Sequence, residues 1–318
     1  MRYWVAAYLF FFIQFFGNFA AAQTAQSETY EDFFGVNVFS EQPVYLNDVV
    51  DMGAKWVRIE YRLKGKDTFN HYRNIINKLK QKKIKVLLLV DYMSTTAATP
   101  GWKGTDALWT AYLPHFLREV ESIAQFLKND VDAWEVWNEP DHELEGYDPG
   151  VPAHIFGVML KDAASRIRKH SSSPLVIGGL ATKRFSYYEN ALKAAGGDLS
   201  MYDALGLHTY GASFMTMTTV KRELDYIYKK WFDLSGLPIW LTEAGGVGDP
   251  QNEKFAADYV ETLFTHTWDQ HRDYVKRIFY FSWHDIVGFR HERFGLVRLN
   301  NTRKPSFIKF RELVDNPR

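Results

Sequence analysis

Residues 85–91 read KVLLLVD, an apolar run without a polar interruption between Lys85 and Asp91. A strand that is buried on both faces has such a continuous run, whereas a strand with one solvent-facing side alternates apolar and polar residues. Residues 238–241, PIWL, show the same pattern. Both runs therefore favour a parallel sheet whose two faces are covered.

From residue 33 onward, β-rich runs alternate with helical patterns. The predicted strands cover residues 34–39, 56–61, 85–91, 133–138, 175–180, 204–208, 239–243 and 278–283. The predicted helices cover residues 72–82, 113–127, 153–170, 220–234 and 255–269, with a closing helix at 304–313. The helix at 113–127 is the clearest, because its apolar residues recur at intervals of three and four. This alternation is typical of repeated βα units.

The number of units favours a closed barrel over an open sheet. A chain of 318 residues has room for all of them in one large domain. An open nucleotide-binding sheet would place a G-x-G-x-x-G turn after its first strand, and residues 35–38, GVNV, lack that spacing. The sequence therefore predicts an α/β fold, a (β/α)8 TIM barrel in a single domain.

Charge and composition limit the possible partners. The chain has 38 Lys and Arg against 38 Asp and Glu, with no long basic run. A nucleic-acid partner calls for clustered positive charge, so we expect no nucleic acid and favour an uncharged partner. The chain has no Cys, so its stability depends on a large apolar core rather than on disulfides.

The N-terminal segment has the organisation of an export signal. Arg2 precedes an apolar stretch at residues 5–16, and AAAQ at residues 20–23 offers a cleavage site of the A-x-A type. We therefore expect a signal peptide at 1–22, a linker at 23–32, a catalytic barrel at 33–318, and a secreted or periplasmic protein. The alternative is a membrane anchor, but Gln14 and Asn18 interrupt the stretch, which is short for a bilayer span. No stable membrane insertion is expected after signal cleavage.

Two carboxylates follow strands on opposite sides of a small barrel. Residues 134–141 read WEVWNEPD and place Glu139 after the fourth strand, while residues 240–246 read WLTEAGG and place Glu243 at the end of the seventh. The carboxyl ends of barrel strands form the rim that carries active sites. Glycoside hydrolysis requires paired carboxylates, about 5 Å apart for retention and about 6.5–9.5 Å apart for inversion. The sequence does not fix that separation.

The segments around both carboxylates resemble a known clan. Trp137-Asn138-Glu139-Pro140 with Leu241-Thr242-Glu243 looks like the retaining (β/α)8 glycosidases of clan GH-A, which contains cellulases, mannanases and xylosidases, over about residues 33–315. The resemblance implies that Glu139 is the acid/base and Glu243 the nucleophile of a retaining mechanism. Glu139 is then expected to be protonated at neutral pH, because of apolar surroundings and the charge of Glu243.

Two polar residues are expected to support this pair. Arg58 in WVRIE (56–60) resembles the clan's arginine on the second strand, and a guanidinium beside Glu243 would favour the ionised carboxylate. The alternative for Arg58 is a structural ion pair with Glu60 or Glu135. Asn138 is suited to hydrogen bond the sugar 2-hydroxyl group, a contact that strengthens in the transition state.

Three residues on the sixth and eighth strands complete the expected site. In LGLHTY (205–210), the resemblance implies that Tyr210 donates a hydrogen bond to Glu243 and that His208 lies near Glu139 or lines the sugar site. The alternative for His208 and Tyr210 is a satisfied core position. Trp283 in FSWH (281–284) resembles the clan's aromatic floor beneath the sugar, with a core aromatic residue as its alternative.

Further rim positions are candidates without an assigned role, namely Asn37, Asp91, Tyr92, Trp102, Tyr147 and His284. The long segments 93–108 and 285–300 are candidate cleft walls and outer sugar subsites, with irregular surface loops as the alternative. The ten His include no H-x-H pair and no H-E-x-x-H motif. We therefore expect no metal site and no organic cofactor.

Within the clan, residues 206–210, GLHTY, and 294–297, FGLV, look most like the family 39 glycoside hydrolases. The xylosidases of that family carry an extra β-sandwich domain, for which this chain has no length. The sequence therefore predicts a retaining glycoside hydrolase that cleaves β-glycosidic bonds of a polysaccharide or oligosaccharide by double displacement, in endo fashion. The alternatives are a catalytically silent carbohydrate-binding barrel and an exo-acting β-xylosidase or β-glucosidase.

Overall fold

A computed structural model of the protein describes residues 29–38, 45–63, 65, 67–143, 149–246, 253–286 and 293–318. The signal peptide expected at 1–22 and most of the linker expected at 23–32 lie outside the described residues and stay predictions. The chain packs against the barrel from Tyr30, whose ring meets that of Trp268 edge-on at 4.9 Å. Within the described ranges, no helix combines the length and apolar character that a membrane crossing needs.

The strands of the described chain form a closed parallel barrel in sequence order. They are β1 (Phe34–Asn37), β2 (Trp56–Glu60), β3 (Lys85–Val90), β4 (Ala133–Val136), β5 (Leu175–Leu180), β6 (Ala204–Gly211), β7 (Ile239–Gly246) and β8 (Val275–Tyr280). The barrel closes where β1 pairs with β8, and Phe34 is there the partner of Ile278. The predicted single-domain (β/α)8 TIM barrel is confirmed.

Helices connect the strands and cover the outside of the barrel. In the described residues they are α1 (Tyr45–Asp51), α2 (Thr68–Gln81), α3 (Asp106–Leu127), α4 (Ala153–Arg168), α5 (Phe185–Ala194), α6 (Met217–Ser235), α7 (Glu253–His271) and α8 (Pro305–Asp315). The sequence predicted neither α1 nor α5. Both are short, and α1 buries only Tyr45 and Val49, so its apolar periodicity extends over too few residues to be seen.

The eighth strand differs from its predicted bounds. It begins at Val275, earlier than the predicted residue 278, and ends at Tyr280 rather than at residue 283. The early part contains Lys276 and Arg277, which conceal a buried strand in the sequence. Arg277 is accommodated because its guanidinium lies over the rings of Trp56 and Trp240, at 5.3 and 5.4 Å.

The interior of the barrel has an apolar floor beneath a polar rim. The floor is a cluster contributed by different strands, consisting of Trp56, Leu87, Ala133, Val176, Ala204, Trp240 and Phe279. A larger apolar cluster fills the space between the sheet and the helices. Side chains further along the same strands are polar and charged, so the candidate site stands directly on a rigid, packed base.

Candidate active site

The segment after β4 leaves regular strand geometry and brings its carboxylate to the barrel mouth. Trp137 has φ 73° and Glu139 has φ 44°, left-handed values that bulky residues rarely adopt. The ring of Trp137 packs outward against α3, with its centroid 5.2 Å from that of Phe116. Such backbone strain persists only where the surrounding packing fixes it. The packed indole thus anchors the turn that presents Glu139.

An irregular pairing between β6 and β7 directs the second carboxylate into the barrel. Successive side chains of a strand point to opposite faces, and the Thr242 hydroxyl points into the barrel, beside Gly179. Strict alternation along β7 would therefore turn Glu243 outward. The register shifts between Leu207 and His208, so that His208 pairs with Glu243. A bulge of this kind re-aims side chains next to active sites.

Arg58 connects four of the buried polar side chains at the barrel mouth. Its Nε donates to Glu135 at 2.5 Å, Nη1 to Glu243 at 2.7 Å, and Nη2 to Asn138 at 2.6 Å. Nη1 also donates to Asn37 at 3.0 Å. Burial opposes the charge of Arg58, but the charges of Glu135 and Glu243 outweigh that effect and raise its pKa. Both the predicted contact with Glu243 and the alternative pairing with Glu135 are therefore present.

The two candidate catalytic carboxylates face each other beside His208. Nδ1 of His208 lies 2.7 Å from Oε1 of Glu139 and 3.6 Å from Oε2 of Glu243. One carboxylate oxygen of Glu139, one of Glu243 and one ring nitrogen of His208 all lie within 4.8 Å of one another. The other oxygen of Glu139, Oε2, lies 3.1 Å from Nδ1 of His142. The carboxylates are close enough to act on the two atoms of one substrate bond.

Both oxygens of Glu243 accept hydrogen bonds from its surroundings. The Tyr210 hydroxyl donates to Oε2, as the resemblance implied, and Arg58 donates to Oε1. Burial and the charges of Glu243 and Glu139 raise the pKa of Tyr210 well above its ordinary value. The hydroxyl therefore keeps its proton and remains a donor to Glu243.

The position of the proton differs from the sequence-based expectation for Glu139. Burial favours its neutral form, but the hydrogen bond from His208 and the charges of His208, His142 and Arg58 outweigh burial and lower the pKa of Glu139. The pKa of His208 is raised, because the charge of Glu243 and the hydrogen bond to Glu139 outweigh burial. The expectation of a simply protonated Glu139 was wrong, since the sequence could not show that an imidazole shares its proton.

Glycines on β5 leave the space that these groups occupy. A Cβ at Gly179 would lie 2.0 Å from Nε2 of His208, and a Cβ at Gly178 would lie 1.9 Å from the carbonyl oxygen of Trp137. Any larger residue would displace the imidazole or the turn after β4. The backbone N–H of Gly179 also donates to Glu135 at 3.1 Å. The glycines of β5 are therefore part of the site.

The remaining predicted site residues, Asn138 and Trp283, are both buried at the rim. Asn138 is 8% exposed, and its side-chain oxygen accepts from Arg58. Trp283 is 2% exposed, its indole N–H donates to Asp48 at 3.2 Å, and the ring of Tyr45 meets it edge-on at 5.8 Å. The indole is thus packed as a core aromatic would be, and its role as a sugar platform stays a prediction.

The unassigned rim candidates have mainly structural contacts. Asn37 donates to the carbonyl groups of Thr242 and Phe279, at 3.0 and 3.2 Å, and so joins β1 to β7 and β8. Asp91 accepts a hydrogen bond from the backbone of Met93, and the ring of Tyr92 lies 6.1 Å from that of Trp137. The ring of Trp102 lies under the guanidinium of Arg184, and His284 contacts the carbonyl of Asp285. Tyr147 lies outside the described residues.

Two contributing residues were not predicted as site residues. Glu135 is fully buried and faces Arg58, so its role could have been found by noting a charged residue at an inward position of β4. His142 follows Glu139 by three residues, a spacing that returns to the same side of a turn. The chain gives no conventional motif for either residue.

Glu139, His208 and Glu243 could also be considered as metal ligands, because their donor atoms converge. The chemistry of their neighbours argues against this use. The Arg58 guanidinium already neutralises Glu243, and Tyr210 donates to the second oxygen of Glu243. A divalent cation would stand next to a buried positive charge. The arrangement suits a nucleophilic carboxylate and a proton-transferring carboxylate better.

Comparisons with known proteins identify the family of the chain and structures of similar fold. The family model described as glycosyl hydrolase catalytic core matches residues 92–301. No curated protein matches the sequence. Solved structures that resemble the fold include a family 39 glycoside hydrolase from Bacteroides cellulosilyticus WH2, with 16% identity, a TM-score of 0.63, and coverage of 90% of this chain and 63% of that one. The present chain thus spans less than two thirds of that enzyme's length.

Two further structures show the same fold. The family 1 β-glucosidase from Thermotoga maritima has 13% identity and a TM-score of 0.65, covering 89% of this chain and 97% of that one. GH5_18 from Streptomyces cattleya, solved in complex with Manβ1-4GlcNAc, has 14% identity and a TM-score of 0.67, covering 89% and 80%. At these identities the likeness concerns the fold, a (β/α)8 barrel.

Proposed function

Because the chain belongs to the glycosyl hydrolase catalytic core family, we propose that it is a retaining β-glycosidase with Glu243 as nucleophile and Glu139 as acid/base. The family match and the closed barrel confirm the predicted glycosidase on a (β/α)8 barrel. The glycosidases among the structural neighbours support its place in clan GH-A. We further propose that the enzyme retains the anomeric configuration, cleaves β-linkages and acts in endo fashion.

The separation of the carboxylates is the observation that carries the retaining mechanism. Oxygens of Glu139 and Glu243 lie within 4.8 Å of one another. Retaining enzymes keep their carboxyl groups about 5–5.5 Å apart, whereas inverting enzymes leave about 6.5–9.5 Å for a water molecule. The distance supports direct attack by one carboxylate, because it leaves no room for a water molecule between that group and the anomeric carbon.

In the first step, an oxygen of Glu243 attacks the anomeric carbon, and the bond from that carbon to the leaving oxygen breaks. The leaving oxygen takes the proton that Glu139 and His208 share. Arg58 and Tyr210 hold the Glu243 carboxylate in place through its two oxygens. The products are a covalent glycosyl ester on Glu243 and a free alcohol.

Ester formation also prepares the second step. In the free enzyme, the charge of Glu243 helps to raise the pKa of His208. The ester carries no such charge, so His208 holds a proton less strongly once the ester has formed. Glu139, now without its proton, accepts one from water while the water oxygen attacks the anomeric carbon. The ester bond breaks, Glu243 returns as a carboxylate, and the sugar leaves with its original anomeric configuration.

The proposal includes a β-linked substrate and an endo mode. The structural neighbours include a β-glucosidase, a fungal β-1,4-galactanase and an enzyme in complex with Manβ1-4GlcNAc, and all of these names concern β-linkages. An aromatic residue at the rim favours a chain that extends beyond the cleaved unit. Phe214, which follows β6, is 85% exposed and offers its ring to such a chain.

The test is hydrolysis of aryl β-glycosides and of plant and bacterial polysaccharides, with the first anomer released followed by proton NMR. We expect β-product first, oligosaccharides rather than monosaccharide from the polysaccharide, and no activity in Glu243→Gln. The matched control is Glu312→Gln, at an exposed position on α8, which should retain full activity. Release of the α-product first would contradict retention. If the wild-type protein hydrolysed none of these substrates, the result would favour the carbohydrate-binding alternative.

A further inference from the structure

A second cluster of ionisable side chains lies on the outer wall of the barrel, between α6 and α7. It consists of Asp225 on α6 and of His266 and His271 on α7. Nε2 of each imidazole lies 2.6 Å from the same oxygen, Oδ1 of Asp225. The three potential ligand atoms all lie within 4.8 Å of one another. Two imidazoles therefore converge on one carboxylate oxygen from two positions of one helix.

The imidazole rings are held in this orientation by their surroundings. Nδ1 of His271 lies 2.6 Å from the hydroxyl of Tyr274, and the Tyr228 ring meets the His271 ring edge-on at 5.4 Å. The rings of His266 and His271 are 5.5 Å apart and nearly perpendicular. A tyrosine hydroxyl can accept as well as donate, so it also suits the tautomer in which Nδ1 carries the proton. That tautomer leaves Nε2 free to bind a cation.

We propose that Asp225, His266 and His271 bind a divalent transition-metal ion of the zinc class. Two imidazole nitrogens and one carboxylate oxygen are the ligands that such ions prefer. The hydroxyl of Tyr274 supplies the outer contact that fixes a ligating imidazole. The Asp225 side chain is 49% exposed, whereas those of His266 and His271 are 15% and 10% exposed. Water therefore reaches the carboxylate side and completes the coordination.

The position of the proposed ion, between α6 and the end of α7, indicates a stabilising role. His271 ends α7, shortly before β8 begins at Val275. The ion thus binds toward the amino-terminal end of the strands, opposite the rim that carries Glu139 and Glu243. It would join α6 to α7 and stabilise the folded chain without contact to substrate. This proposal departs from the sequence-based expectation of no metal site. The H-x-H and H-E-x-x-H motifs do not describe these ligands, because the histidines are five residues apart and Asp225 lies 41 and 46 residues away.

The test is calorimetric titration of ZnCl2 into the full chain after treatment with EDTA and dialysis. We expect one ion per wild-type chain and, in His266→Gln, affinity weakened by roughly 100-fold or more, since a ligand matters at least as much as its outer contacts. A glutamine keeps an N–H donor for Asp225, so the variant should melt like wild type in EDTA. The Zn²⁺-induced rise in melting temperature should then be confined to wild type.

Two further variants sharpen the result. His154→Gln is the matched control, because His154 contacts Asp106 at 3.0 Å without a second imidazole, and its Zn²⁺ affinity should be that of wild type. Tyr274→Phe should weaken binding by roughly 10- to 100-fold. If His266→Gln fails to fold, Asp225→Asn serves in its place. Equal Zn²⁺ affinity in wild type and the ligand variant, or no binding by wild type, would overturn the proposal.

Discussion

Arg58 shows how one buried residue organises this site. It is 5% exposed and donates to four side chains, those of Asn37, Glu135, Asn138 and Glu243. A guanidinium presents its donors in a fixed planar fork, so the positions of its acceptors depend on one another. Glu135 balances the buried charge and leaves Glu243 available for chemistry. The carboxylate pair is therefore positioned by a network rather than by single contacts.

The acid role of Glu139 leads to a prediction about leaving groups. Glu139→Ala should reduce the first step by about 10²- to 10⁴-fold for a poor leaving group, because no side chain then protonates the leaving oxygen. A substrate with a very acidic leaving group needs no such proton and should react at nearly the wild-type rate. Single-turnover kinetics on both substrate types measure the difference. Equal losses would remove Glu139 from the acid role.

The proton shared by Glu139 and His208 predicts the pH profile. The pKa of His208 is raised above its ordinary value near 6.5, so the pair keeps its proton until the pH exceeds that raised value. The alkaline limb of kcat/KM should therefore lie above about pH 6.5. In His208→Gln a carboxyl group alone holds the proton, and the limb should move to lower pH. An unchanged limb in that variant would show that His208 does not share the catalytic proton.

At the level of the elements, the segment after β8 depends on one buried ion pair. Nζ of Lys304, at the start of α8, lies 2.6 Å from Oδ1 of Asp285 and 3.2 Å from the carbonyl of Arg293. Asp285 also accepts from the backbone of Gly295 at 2.9 Å. These contacts fix the chain around Phe294, whose ring meets that of Tyr210 edge-on at 5.1 Å. The ion pair thus supports the catalytic side of the barrel from behind.

Removal of this ion pair should be costly. Lys304→Met leaves the carboxylate of Asp285 buried without its cation, and should lower the free energy of unfolding by about 3 kcal/mol. The control Lys309→Met removes a more exposed cation from α8, next to Glu261 and Glu312, and should cost less than about 1 kcal/mol. Urea denaturation of both variants measures the difference. Similar values would mean that Asp285 finds other partners.

The elements also mark the limit of the sequence-based prediction. Apolar runs such as residues 85–91 indicated all eight strands, because burial on both faces is visible as composition. The rim position of Glu139 and Glu243 followed from the topology. The direction of the Glu243 side chain did not follow from the topology. Side chains alternate along β7, so Glu243 would point away from the face that carries Thr242, and only the register shift at His208 turns Glu243 inward. Backbone irregularities depend on contacts between distant segments, which no local pattern records.

At the scale of the whole molecule, the barrel separates stability from chemistry. The apolar floor contains Phe279, whose ring stacks with that of Trp240 at 6.2 Å, while the polar groups lie above it at the carboxyl ends of the strands. Residues that pack the floor make no contact with substrate at the rim. Changes in the floor should therefore alter stability more than activity.

Phe279→Ala tests this separation. The ring is fully buried, and its removal should lower the free energy of unfolding by about 3–5 kcal/mol, because it leaves a cavity. KM and kcat should stay close to wild type at temperatures where the variant is folded. Ile308→Ala, at a position on α8 that is 46% exposed, is the control and should change stability by less than about 1 kcal/mol. Denaturation curves and steady-state kinetics give both quantities.

As the nucleophile, Glu243 should form a covalent bond to the sugar. The most direct measurement is mass spectrometry after reaction with an activated 2-deoxy-2-fluoro β-glycoside, which slows the second step more than it slows departure of a good leaving group. We expect one fluorosugar per chain, located by peptide mapping on Glu243, and no labelling of Glu243→Gln. Labelling at a different carboxylate, or turnover of the parent glycoside without any labelling, would contradict it.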